Sequence, residues 1–165
     1  MFIDTTEPVT TRAPTPSTTS TPSTSSIPST TTTSTTSSLP LNYLNNGYYA
    51  TSDKGASYLR PEFVGAYAEQ IAANLSIMRP SDFNGLLREM KRSKKKTLPF
   101  EARQTAAAEM LPKALALVHR KKAPVLLVEF IKANLDAIHT DEDWTAYLRH
   151  LEAINGYLSM NTIIS

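Results

Sequence analysis

The chain has no cysteine, one tryptophan and only five glycines in 165 residues. Without thiols there is no disulfide framework, no thiolate nucleophile, no Cys-ligated zinc and no iron–sulfur cluster. The glycines are not paired at any motif spacing, so a Gly-rich phosphate loop is excluded too. No run approaches the ~18 apolar residues of a membrane-spanning helix. The start, Met1-Phe2-Ile3-Asp4, lacks the basic and apolar regions of a secretory leader. These absences together predict a soluble, cytoplasmic protein with no membrane partner.

The first 40 residues are almost without aromatic or charged side chains; 24 of them are Ser or Thr and six are Pro. Such a tract cannot bury enough apolar surface to offset the entropy of ordering, which predicts disorder over residues 4–40. In a secreted chain it would read as an O-glycosylated stalk; with no leader it reads as a flexible extension. Residues 41–57 carry Tyr43, Leu44, Tyr48 and Tyr49 among Asn and Gly. This stretch is too apolar for a plain linker and too short for a domain, so it docks on the domain, docks on a partner, or is a sticky linker. The expected division is therefore 1–57 as disordered extension and linker, and 58–165 as one helical domain, within the usual size of about 100–200 residues for a single core.

The net charge of +2 conceals an asymmetry. Residues 58–122 hold 13 basic and six acidic side chains, whereas residues 123–165 hold two basic and six acidic. The basic half suits a polyanionic partner and the acidic half suits basic protein surface, unless the charge is merely solvated.

From Pro61 onward the apolar residues recur at helical spacing, with prolines where helices begin. Five helices are expected. The first, 61–74, turns Phe63, Val64, Tyr67, Ile71 and Leu75 inward. The second, 80–94, buries Phe83, Leu86, Leu87 and Met90. A third, 100–120, buries Met110, Leu111, Leu115 and Val118, and Pro112 within it marks either a kink or a boundary. In the fourth, 124–138, the apolar residues run nearly all round, which predicts the central element. The fifth opens with Thr140 as N-cap and Asp141, Glu142 and Asp143 in its first turn, then carries Trp144, Tyr147, Leu148, Leu151, Ile154 and Leu158. No stretch alternates at period two for long enough to suggest a sheet. The fold class is all-α, a compact bundle of about five helices.

Two basic clusters stand out. Arg88, Lys91, Arg92, Lys94, Lys95 and Lys96 lie at the end of the second helix and in the loop beyond it, more cations than the helix dipole calls for. A basic loop beside a helix end contacts phosphates through counterion release, without reading sequence; a merely solvated loop is the other reading. His119, Arg120, Lys121 and Lys122 close the third helix, and Lys113 lies two turns before Arg120 on the same face. Candidate nucleic-acid-binding residues are thus Arg88, Lys91, Arg92, Lys94, Lys95, Lys96, Lys113, Arg120, Lys121 and Lys122. Catalytic candidates are lacking. His119, His139 and His150 show no metal spacing, the acidic run 141–143 fits a helix start, and no nucleophile, base and orienter assemble. No enzymatic activity, metal, cofactor or small-molecule substrate is expected.

The segment Met110-Leu111-Pro112-Lys113-Ala114-Leu115-Ala116-Leu117-Val118-His119-Arg120 resembles the Leu-Lys-Pro-Lys-Leu-Ala-Tyr then Gly-Arg signature of the small subunit of type III-A CRISPR effector (Csm) complexes. Phe63-Val64-Gly65-Ala66-Tyr67-Ala68-Glu69-Gln70-Ile71 is similar to that family's opening helix. Asp143-Trp144 through Leu151-Glu152-Ala153-Ile154 and Tyr157 is similar to its closing helix. The resemblance spans about residues 58–160. It implies a non-catalytic, five-helix RNA-binding subunit that stacks along the guide RNA and target RNA in antiviral defence, with Lys113 and Arg120 carried over from the basic motif. It also implies the other subunits of the effector complex as partners. Self-association head to tail, the acidic half of one copy on the basic half of the next, is a hypothesis from charge. The competing reading is a protein–protein adaptor on a disordered tether, with Tyr43–Tyr49 as docking motif and no RNA role. A small helical enzyme is a third.

Overall fold

The computed structural model describes residues 38–94 and 99–164, without the side chains of Lys94 and residues 162–164. Most of the expected disordered tract, and Lys95 and Lys96, lie outside the described residues. The described chain is all-α, with one small hairpin at its start. The order is β1 (Tyr49–Thr51), β2 (Ser57–Leu59), a 3-10 turn (Pro61–Phe63), α1 (Ala66–Asn74), α2 (Pro80–Lys94), α3 (Phe100–Ala108), α4 (Met110–His119), α5 (Leu126–Ala137) and α6 (Asp141–Ile164).

The expected third helix is two. Pro112 is the third residue of α4, where a missing N–H costs nothing because first-turn N–H groups have no intrahelical acceptor. The chain breaks at Glu109 so that the proline falls in a first turn instead of mid-helix. Restarting at Met110 also resets the buried row to Met110 and Ala114, which leaves Leu115 49% exposed against expectation. Val64, also expected inward, and Val125, one of the apolar residues of the expected fourth helix, are exposed because each precedes its helix and stands off its stripe. All four residues expected inward on α2 are buried, as are the six on α6.

At the start of α6, the Asp143 N–H donates to Thr140 Oγ1 at 3.1 Å and the Thr140 N–H donates to Asp143 Oδ2 at 3.0 Å. This is a reciprocal capping box with aspartate in the usual glutamate position. α1, α2 and the 3-10 turn pack on α6, while α5 packs on α3 and α4. α5 therefore shares the centre with α6 instead of holding it, and leaves Glu129, Lys132 and Asp136 in water.

Strands β1 and β2 pair antiparallel, Tyr49 opposite Leu59 and Thr51 opposite Ser57. Gly55, at φ +77°, closes the Ser52–Gly55 turn between them. The turn before the hairpin drives Tyr43 and Tyr48 into the core, 8% and 1% exposed. Their rings lie 5.8 and 5.1 Å from Phe63, which itself stacks near Phe130 through His150. Burying a large ring is worth about 2–3 kcal/mol. Both phenols meet the buried side chain of Asn134 on α5. The boundary expected at residue 58 therefore falls inside the folded unit, and residues 41–57 are part of the domain core.

Candidate nucleic-acid interface

Two contacts fix how α2 and α4 sit. Lys113 of α4 forms an ion pair with Glu89 of α2. At the other end of the pair, Lys121 and Lys122, just past α4, line one crevice with Ile77, Arg79 and Asp82 at the entry to α2. The first contact joins the later part of α2 to the early part of α4, and the second joins the start of α2 to the end of α4. The two helices thus run in opposite directions where these contacts relate them.

Exposed cations lie on both elements. Arg88, Lys91 and Arg92 are exposed on α2, and Lys113, Arg120, Lys121 and Lys122 on and after α4. Two of them are already engaged: Lys91 pairs with Glu152 of α6 at 2.9 Å, and Lys113 with Glu89. Arg88, Arg92, Arg120, Lys121 and Lys122 have no acidic partner within 4.0 Å among the described residues. The structure therefore brings the two basic clusters, separate in sequence, onto neighbouring helices. The Lys94 side chain and Lys95 and Lys96 are not described, so their part in this surface rests on sequence.

The end of α4 has an unusual backbone. The Lys121 N–H donates to the Val118 carbonyl and the Lys122 N–H to the Leu117 carbonyl, both at 2.9 Å. This double bond pattern is a Schellman closure, and it places Lys121 at φ +57°. Glycine is the ordinary residue at that position, because a side chain there crowds the following carbonyl. Arg79 is the cation that sequence reasoning missed. The only signal for it is a lone arginine before the helix-opening Pro80, and nothing in the sequence relates it to Lys121.

The acidic run is largely engaged within the fold. Asp141 accepts from Arg103 at 2.6 Å, Asp143 belongs to the capping box, and the Glu142 carbonyl accepts from the Tyr49 hydroxyl at 2.9 Å. Glu129, Asp136 and Glu142 remain exposed. His119 and His139 are exposed at helix ends, whereas His150 is fully buried. The His150 Nδ1–H donates to the Phe63 carbonyl, and burial lowers the imidazole pKa to about 4 although that hydrogen bond works the other way. The phenols of Tyr43 and Tyr48 are pushed well up, chiefly by burial. Among the described residues no group of three or more His, Asp or Glu could hold a metal ion, and no helix is long and apolar enough to cross a membrane.

Compared with protein-family models, with characterised proteins and with solved structures, the chain matches none.

Proposed function

We propose that the chain is a non-catalytic RNA-binding protein that holds the phosphate backbone without reading bases. By its sequence resemblance we assign it as the small subunit of a type III-A CRISPR effector complex. In that role it stacks along the guide RNA and target RNA, works in the cytoplasm in antiviral defence, and needs no cofactor or small-molecule substrate. The observation that carries the reading is the set of exposed cations without acidic partners on the α2 and α4 side, Arg88, Arg92, Arg120, Lys121 and Lys122. A guide-directed system wants such a sequence-blind surface, since base pairing already supplies the specificity. Self-association head to tail belongs to the proposal, with Glu129, Asp136 and Glu142 as exposed carboxylates that have no basic partner among the described residues and could meet a basic face. The adaptor reading loses its docking motif, because Tyr43 and Tyr48 are core residues.

The test is fluorescence anisotropy of a labelled, unstructured RNA of ~30 nucleotides titrated with the full chain over a salt series. Binding should be independent of base composition, with log affinity falling against log salt by about 0.7 per phosphate engaged. A charge-reversal variant at Arg88, Arg92, Arg120, Lys121 and Lys122 should abolish it. No binding at low salt, or a marked base preference, overturns the proposal.

A further inference from the structure

We infer that the crevice between the entry to α2 and the end of α4 seats one backbone phosphate of RNA, held by Arg79, Lys121 and Lys122, an inference that rests on the RNA reading above. The crevice measures about 290 Å³ and is lined by Ile77, Arg79, Asp82, Lys121 and Lys122. It is large enough for a ribose–phosphate unit and not only for a small ion.

Charge selects the occupant. Three cations and one carboxylate line the crevice, which therefore carries an excess of two positive charges and repels metal ions. Asp82 Oδ2 is shielded from water and has no hydrogen-bond partner. A single carboxylate among three cations eases their mutual repulsion and still leaves charge for an anion. Ile77, 66% exposed, gives the crevice an apolar wall against which a ribose can lie. Arg120, without an acidic partner among the described residues, is adjacent in sequence, and Lys113 lies on the same helix, so a chain of phosphates has further contacts to follow where a free phosphate has none.

The backbone adds an independent observation. Lys121 holds a left-handed conformation that glycine would hold without crowding. Strained positions of this kind concentrate where a side chain serves binding. Here the strained residue is one of the cations that line the crevice.

This separates stability from binding. In the full chain, Lys121→Gly removes both the strain and the charge, so Tm should rise by roughly 4 °C while RNA affinity falls. The loss of one phosphate contact corresponds to about eightfold at ~50 mM salt, with a salt slope shallower by about 0.7. Arg79→Gln should give the same affinity loss without the rise in Tm. Lys132→Gln and Arg149→Gln, exposed cations on α5 and α6, should each change affinity less than twofold. The measurement is the same ~30-nucleotide anisotropy titration, with thermal melts alongside. If Lys121→Gly and Arg79→Gln bind RNA as tightly as the parent while the charge-reversal variant does not, the crevice assignment is wrong and the RNA reading stands. If the parent chain binds no RNA, both fall together. An affinity loss as large in Lys132→Gln as in Arg79→Gln also overturns the crevice, since the effect is then one of net charge.

Discussion

The Tyr48 hydroxyl donates to Asn134 Oδ1 at 2.7 Å, joining two residues 86 positions apart. The Asn134 side-chain amide also meets the Tyr43 hydroxyl at 2.9 Å and donates to the Phe130 carbonyl at 2.6 Å. One buried amide on α5 therefore ties the segment before the first strand to the helical core. Residues that read in sequence as a linker are held by the same packing as the helices.

A chain that begins at residue 38 keeps both core tyrosines and should melt cooperatively. A chain that begins at residue 58 loses Tyr43 and Tyr48. Removing large core side chains costs about 3–5 kcal/mol each, against a total stability of about 5–15 kcal/mol. That shorter chain should show no cooperative melt, as read by calorimetry. A sharp transition in it would contradict the placement of the tyrosines in the core.

Asn134→Ala should cost roughly 2–4 kcal/mol, since it strands two buried hydroxyls. Tyr48→Phe alone should cost about 1 kcal/mol. The triple variant Tyr43→Phe, Tyr48→Phe, Asn134→Leu removes all the partners together, so chemical denaturation should find it more stable than Asn134→Ala. If it is less stable, the network is not what holds the segment.

His150 sets a pH dependence. Its pKa is about 4 in the fold against 6.5 for an ordinary histidine, so the fold favours the neutral ring and the unfolded chain takes up the proton first. The stabilisation is complete above about pH 6.5 and is lost as pH falls toward 4, by at most about 3 kcal/mol. Denaturant midpoints measured from pH 7 to pH 4 should fall in the parent chain. In His150→Asn, which keeps an N–H for the Phe63 carbonyl, the same series should be flatter. Parallel curves would remove His150 as the cause.

Glu89 pairs with the Lys113 ammonium and Glu152 with that of Lys91, so on the proposed RNA reading each carboxylate would compete with a phosphate. Exposed pairs of this kind are worth only about 0.2–1 kcal/mol to the fold. Glu89→Gln should therefore leave Tm nearly unchanged and tighten RNA binding at low salt by a few-fold. Lys113→Gln should weaken binding. Anisotropy titrations of the two variants decide it, and equal affinities in both would mean that Lys113 does not face the RNA.

Much of this architecture was legible in the sequence because helices with one apolar stripe announce themselves. The inward rows of α2 and α6 and the N-cap at Thr140 follow from spacing and cap chemistry alone, whereas the return bond from Asp143 shows only in the structure. The break before α4 was legible only as a choice, since Pro112 is compatible with a kink or with a first turn until the neighbouring helices are placed. The hairpin was missed because three-residue strands are too short to show alternation; its trace is the turn Ser52-Asp53-Lys54-Gly55. At the site, the cations of α2 and α4 were visible as clusters. What joins them is tertiary: the Glu89–Lys113 pair and the approach of Arg79 to Lys121 have no local signature.

The central claim is that RNA lies along α2 and α4. Hydrogen–deuterium exchange of the full chain with and without a saturating ~30-nucleotide single-stranded RNA tests it most directly. The account predicts added protection in peptides covering residues 77–92 and 113–122, and none in those covering the acidic stretch 136–143. Protection confined to 136–143, or none anywhere under conditions where the RNA is bound, would contradict it.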